Sequence, residues 1–139
     1  MINIKSKLDT ALLAAFEAGE AILRVYQNDF EVMMKADQSP LTKADLESNT
    51  IILKHLGEEY PILTEENKEV PFQERKYWTN FWLIDPLDGT KEFIKRNGEF
   101  TVNIALISKG KPILGIVYVP VTKQFFWGTE SHGLSLIHI

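Results

Sequence analysis

Two acidic residues, three positions apart, lie in the run Asp-Pro-Leu-Asp-Gly-Thr at 85–90. The apolar residues at 81–84 predict a buried strand that stops at Asp85, and the proline and glycine that follow predict a shaped turn. Asp85 and Asp88 can then point at one place beyond the strand. Carboxylates held that close repel each other, and a hard divalent cation relieves the repulsion. Oxygen ligands without cysteine or a nearby histidine favour Mg²⁺, with Mn²⁺ as second candidate, over Zn²⁺.

Gly89 and Thr90 stand where a short helix, running to Lys95, is predicted to begin. Free backbone N–H groups and the helix dipole make such a position suitable for an anion, and phosphate is the obvious one. Metal-binding carboxylates beside a phosphate-binding helix start would form a phosphoryl-transfer site. The alternative is that Asp85 only begins a turn and Asp88 only caps the helix.

A third carboxylate comes from the pair Glu65-Glu66, which directly follows a short predicted strand at 61–64. It can therefore reach the same edge of the sheet as Asp85 and Asp88. Two solvated acids in a loop are the alternative for an isolated pair. Three acids that each follow an apolar strand favour the metal site.

Asp37 and Asp45 flank a Ser-Pro turn that opens a second predicted helix. Either residue could join the acidic site. The alternatives are that Asp37 stabilises the turn and that Asp45 favours the first turn of the helix electrostatically.

The elements that must position these acids predict an α+β layered fold, because helices come first and strands later. A long first helix has an apolar face from Leu8 to Tyr26. A second helix is capped by Thr42 and ends near Gly57, and its predicted apolar face consists of Leu46, Asn49, Ile52, Leu53 and Leu56. Predicted strands are at 30–36, 61–64, 81–84, 100–107, 113–119 and 123–127, with a turn at 37–40 and a loop at 67–77.

Composition narrows the class of protein. The 139 residues carry 15 basic and 19 acidic side chains, for a net charge of −4, and no long basic run, so nucleic acid is a poor candidate partner. No apolar run of roughly 18 residues predicts a transmembrane segment. The N-terminus lacks a signal-peptide pattern and cysteine is absent, which predicts a cytoplasmic protein. Peripheral contact with the cytoplasmic face of the inner membrane stays open.

The run at 82–105, Trp-Leu-Ile-Asp-Pro-Leu-Asp-Gly-Thr followed by Lys-Glu-Phe and the residues up to Ala105, resembles the signature of the inositol monophosphatase superfamily. Its general motif is D-P-[ILV]-D-G-[ST]. The extension at 91–107, K-E-F-I-K-R-N-G-E-F-T-V-N-I-A-L-I, resembles the CysQ-type 3'(2'),5'-bisphosphate nucleotidases within it. An inositol-phosphate or sugar phosphatase is the enzymatic alternative, which Lys91-Glu92-Phe93 disfavours.

The resemblance implies a layered sugar-phosphatase fold and a role for each matching residue. Glu65, Asp85 and Asp88 match side-chain metal ligands, and Leu87 matches a ligand through its carbonyl. Thr90, with Glu65, matches the pair that activates the attacking water, and Asp45 matches the acid associated with a further metal and that water. The scissile phosphate is expected to contact Glu65, Leu87, Asp88, Gly89 and Thr90. The implied reaction converts a small nucleotide bisphosphate, 3'-phosphoadenosine 5'-phosphate, to AMP and phosphate.

The superfamily also has a second half with a W-D-x-A-A-G motif, whose aspartate completes the metal site, and this sequence has no such motif. We therefore expect residues 1–133 to be the N-terminal metal- and phosphate-binding half, and 134–139 to be an atypical, artefactual tail. The alternative to an active phosphatase is a catalytically inactive fragment that binds metal or a partner protein. Uncovered apolar strands at 113–119 and 123–127 predict self-association.

Overall fold

The computed structural model describes residues 1–36, 40–66 and 70–138, and it confirms the predicted α+β class. Its elements are α1 (Ile4–Tyr26), β1 (Val32–Met34), β2 (Pro40–Thr42), α2 (Lys43–Leu56), β3 (Ile62–Thr64), α3 (Phe72–Arg75), β4 (Asn80–Asp88), α4 (Thr90–Ile94), β5 (Thr101–Ser108), β6 (Lys111–Val119), β7 (Gln124–Thr129) and β8 (Gly133–His138). None of the helices in these ranges is long and apolar enough to cross a membrane.

The main sheet has six strands in the order β3-β4-β5-β6-β7-β8. All neighbours are antiparallel except β3 and β4, which run parallel with Thr64 opposite Ile84. Because Thr64 lies opposite Ile84 in this parallel pair, the next residue of each segment lies side by side with the other: Glu65, just after β3, and Asp85, within β4. This topology brings together acids that are 20 residues apart in sequence.

Helices α1 and α2 pack on each other and on one face of the sheet. The predicted apolar face of α1 is confirmed, and its contact surface is built largely of alanine, which allows a close helix–sheet approach. Beneath it, alternate β5 residues Val102, Ile104 and Leu106 are buried, as the period of a strand requires. This packing fixes the sheet on which the acids stand.

The opposite face of the sheet is open. Leu83 on β4, Val117 on β6 and Phe126 on β7 are 43%, 39% and 37% exposed there. A groove of about 740 Å³ follows this face and has Glu65 and Asp85 among its lining residues. The acids therefore lie along a largely apolar groove.

Several predicted boundaries were wrong. Strand β4 does not stop at Asp85 but continues to Asp88, because a bulge between these residues keeps it paired with β5. The predicted loop at 67–77 contains α3, a single turn too short to show apolar periodicity. The predicted turn at 37–40 lies outside the described residues except for Pro40, which belongs to β2.

Residues 133–138 form β8, which pairs antiparallel along all of β7. Among the described residues β8 is the last strand of the sheet, so its outer side is an unpaired edge. Leu134 and Leu136 on this strand are exposed. The assignment of 134–139 as an artefactual tail stays a prediction, because a paired strand by itself does not reveal its origin.

Candidate metal and phosphate site

Asp85 is the most strongly perturbed acid of the site. Burial, followed by the charges of Glu65 and Asp88, raises the pKa of Asp85 from 3.8 to about 7. The Leu87 backbone N–H donates to this carboxylate. Its Oδ1 atom is nevertheless buried without a hydrogen-bond partner among the described residues. An orphaned carboxylate oxygen beside two further acids is the environment that a cation would relieve.

Asp88 is the last residue of β4 and follows the bulge in this strand. Asp88 is exposed, and the Asn103 side-chain amide on β5 donates to its Oδ2 at 3.0 Å. Asn103 is itself held by the Thr101 hydroxyl, which donates to its Oδ1 at 2.9 Å. The bulge lies at Pro86 and Leu87, both buried. No sequence motif marks Asn103, and only the register of β4 with β5 reveals its contact with Asp88.

Asp45 is fully buried and links two elements. Its Oδ2 accepts from the Thr42 backbone N–H at 2.9 Å and from the Thr42 hydroxyl at 2.6 Å. Its Oδ1 accepts from the Thr90 hydroxyl at 2.9 Å. Asp45 therefore stabilises the start of α2, as the alternative interpretation predicted, and it also contacts the candidate site. The joint role of Thr90 and Glu65 in activating water, which the resemblance implies, stays a prediction.

Gly89 makes the sharp transition from β4 into α4. Its φ of 97° lies in the left-handed region that only glycine adopts readily. A Cβ at this position would lie 2.9 Å from the Glu99 carbonyl oxygen. The Gly89 carbonyl accepts the first α4 hydrogen bond, from Phe93 at 2.9 Å. Glycine is therefore required here both by conformation and by space.

A lysine that the sequence analysis did not consider lies beside the acids. Lys35 donates to Glu66 at 3.0 Å, and the Glu66 side chain is almost completely buried. Burial lowers the pKa of Lys35, but the hydrogen bond and charge of Glu66, with the charges of Glu65 and Asp45, raise it overall. Burial raises the pKa of Glu66, and Lys35 opposes that rise. Asp37, the other candidate on this segment, lies outside the described residues.

The donor set fits a hard divalent cation. It consists of oxygen atoms, and the orphaned Asp85 oxygen lies close to the charges of Glu65 and Asp88. Outside 37–39, 67–69 and 139, no three acidic or imidazole groups already converge as a preformed metal cage. Like charges hold each other apart, so an open arrangement is expected for these residues without a cation.

The raised pKa of Asp85 predicts a pH-dependent gain from Asp85→Asn in the metal-free chain. The folded state binds a proton that the unfolded state releases between about pH 4 and pH 7, so wild-type stability falls as the pH rises through this window. The variant escapes that loss. At pH 8 we expect the free energy of unfolding of the variant to exceed that of wild type by about 1–3 kcal/mol, seen as a higher urea midpoint, and at pH 4 we expect little difference. Urea unfolding with exposed Asp9→Asn as control measures it, and an unchanged or lower midpoint at pH 8 would contradict it.

The family model and the curated relatives both match this chain over most of its length. The pattern of the inositol monophosphatase family matches residues 4–137. The 3'(2'),5'-bisphosphate nucleotidase CysQ of Escherichia coli K12 is 50% identical over 129 residues, which are 89% of this chain and 52% of that protein. The protein of the same name from Haemophilus influenzae is 38% identical over 129 residues, 91% of this chain and 48% of that protein.

Solved structures agree with the sequence relatives. CysQ from Bacteroides thetaiotaomicron, a bacterial member of the inositol monophosphatase family, is 44% identical with a TM-score of 0.87, covering 99% of this chain and 51% of that one. Extragenic suppressor protein suhB from Bartonella henselae is 28% identical with a TM-score of 0.83, and the match covers 94% of this chain and 52% of the suhB chain. The chain thus spans about half the length of the curated relatives it matches.

Proposed function

This chain belongs to the inositol monophosphatase family, and on that premise we propose that it supplies the metal- and phosphate-binding part of a Mg²⁺-dependent 3'(2'),5'-bisphosphate nucleotidase. One structural observation carries the proposal. The parallel pairing of β3 with β4 brings Glu65 beside Asp85, whose buried Oδ1 has no partner among the described residues. The names of the relatives support the reaction class.

We assign the cation to Glu65, Asp85, Asp88 and the Leu87 carbonyl. When bound, it would supply positive charge for the phosphate oxygens and lower the pKa of water. The substrate phosphate would lie against residues 87–90, where β4 gives way to α4. Gly89 permits the left-handed backbone turn that joins β4 to α4 at this position.

Thr90 and Asp45 are suited to orienting the attacking water. The Thr90 hydroxyl proton is committed to Asp45 at 2.9 Å, so the Thr90 oxygen can accept a hydrogen bond from water. Asp45 holds that geometry because burial and two hydrogen bonds from Thr42 fix its carboxylate. Asp45 therefore acts through Thr90, with Glu65 facing the same water from the strand side. As the water oxygen bonds to phosphorus, its proton passes to the Glu65 carboxylate; the bond to the 3'-oxygen breaks, that oxygen takes up a proton, and AMP and phosphate leave.

The test of this function uses a chimera in which this chain is joined to the part of the Escherichia coli relative that it does not match. We expect Mg²⁺-dependent phosphate release from 3'-phosphoadenosine 5'-phosphate to exceed that from inositol 1-phosphate by at least about 10-fold, since a site built for one substrate's polar groups discriminates strongly. A preference for inositol 1-phosphate would instead support the second candidate, an inositol phosphatase.

We also propose that a second copy of this chain covers the open sheet face. Val117 and Phe126 are register partners on that face and both are exposed, and β8 leaves an unpaired edge beside them. Sedimentation velocity is expected to show a dimer or larger species, reduced in the double variant Val117→Lys and Phe126→Lys. Thr50→Lys on the exposed side of α2 is the control. A monomeric wild type would contradict the proposal.

The cytoplasmic location that the sequence predicts stays a prediction.

A further inference from the structure

We propose that one face of α2 is a polar brace that positions three segments of the candidate site, with Ser48 and Asn49 as its positioning residues. This inference rests on the proposed function. It adds two residues that neither the motifs nor the acidic cluster indicated. Both lie one turn beyond Asp45, on the side of the helix that faces the sheet.

Each polar residue of this face contacts a different segment. The Ser48 hydroxyl donates to the Pro86 carbonyl in the β4 bulge at 2.6 Å. Asn49 Oδ1 accepts from the Thr64 hydroxyl, at the end of β3, at 2.8 Å. Asp45 accepts from Thr90 at the start of α4. The spacing i, i+3, i+4 aligns the three residues along one stripe of the helix.

The stripe is unusual for a helix packed on a sheet. Sequence analysis predicted Leu46 on the apolar face of α2, but Leu46 is exposed, whereas Asp45 and Ser48 are fully buried and Asn49 nearly so. Buried polar groups destabilise a core unless they are hydrogen-bonded. The hydrogen bonds of Asp45, Ser48 and Asn49 all end on segments that carry or flank the acids. The stripe therefore positions these segments and does not merely pack the helix against the sheet.

The contacts lie directly beside the proposed ligands. Ser48 fixes the peptide one residue before Leu87, whose carbonyl we assign to the cation. Asn49 fixes Thr64 one residue before Glu65, and the Thr64 oxygen also accepts from the Glu66 N–H at 3.4 Å. A helix that holds both strand ends sets the distance between Glu65 and the bulge. Supporting hydrogen bonds of this kind commonly change metal affinity when they are removed.

The test measures Mn²⁺ binding to this chain by electron paramagnetic resonance of the free ion. Thr64→Val removes the hydroxyl at nearly constant shape, and Thr64→Ser restores it. Ser48→Ala removes the second contact. The matched control is Thr50→Val, on the outer side of the same helix, where the hydroxyl donates to the Leu46 carbonyl. Asp88→Asn reports whether binding occurs at the assigned site.

We expect Thr64→Val and Ser48→Ala each to weaken Mn²⁺ binding by about 10-fold, with Thr64→Ser and Thr50→Val close to wild type. Circular dichroism at the same temperature confirms that each variant is folded, and if Thr64→Val is not, Ser48→Ala carries the test. Wild-type affinity in both variants, with binding weakened by Asp88→Asn, would overturn the brace and leave the proposed function intact. No weakening by Asp88→Asn would refute the metal site, and the brace with it.

Discussion

Asp85→Asn in the chimera is expected to lower Mg²⁺-dependent phosphate release by about 1000-fold or more. Asp85 is the acid whose Oδ1 has no partner among the described residues and whose charge is opposed by burial and by Glu65 and Asp88. Removing its charge would take one anionic ligand from the cation, and a catalytic cation contributes several kcal/mol to transition-state stabilisation. Phosphate release with excess enzyme measures the residual rate. Asp88→Asn is expected to behave similarly.

The controls separate loss of chemistry from loss of fold. Asp9→Asn removes an exposed charge on α1, outside the segments that carry the acids, and should retain full activity. The metal-free Asp85→Asn chain should be at least as stable as wild type above pH 7, because its acidic cluster is less crowded. A folded Asp85→Asn chimera that kept more than about a tenth of wild-type activity would show that Asp85 does not bind the catalytic cation.

Thr90→Ala is expected to lower kcat by about 100-fold and to change KM by less than about 3-fold. The Thr90 hydroxyl is held by buried Asp45 at 2.9 Å, which leaves its oxygen free to orient water. A contact of that kind matters chiefly in the transition state, so its removal affects turnover more than binding. Steady-state kinetics on the chimera separates the two parameters.

Thr90→Ser is the matched variant, because it keeps the hydroxyl and loses only a methyl group. It should retain most of the wild-type kcat. If Thr90→Ala raised KM and left kcat unchanged, Thr90 would be a phosphate anchor instead. If Thr90→Ser were as impaired as Thr90→Ala, the methyl group and not the hydroxyl would be responsible.

Local sequence signals were sufficient to predict the elements that carry the acids. Apolar runs bounded by acids and turn residues marked β3 and β4, and Gly89 marked the start of α4. The predicted proximity of Glu65 and Asp85 is confirmed, because β3 and β4 run parallel with Thr64 opposite Ile84. The predicted α+β layering is also confirmed, since the two long helices α1 and α2 precede the six-stranded sheet in sequence and pack on one of its faces.

Contacts that depend on register or tertiary packing could not be predicted. The β4 bulge arises from pairing with β5, so the apolar run at 81–84 gave no sign that the strand would continue to Asp88. The polar stripe of α2 contradicts the hydrophobic pattern that sequence analysis uses, and Leu46 was therefore assigned to the wrong side. Lys35 and Glu66 are 31 residues apart and carry no shared motif.

Anomalous diffraction from crystals of the chimera grown with Mn²⁺ tests the central claim most directly, because it locates the cation independently of activity. We predict a peak at the ends of β3 and β4, within about 2.5 Å of carboxylate oxygens of Glu65, Asp85 and Asp88 and of the Leu87 carbonyl oxygen. The peak should be lost in Asp85→Asn crystals. A fully occupied Mn²⁺ ion elsewhere, with none contacting Asp85, would contradict the account.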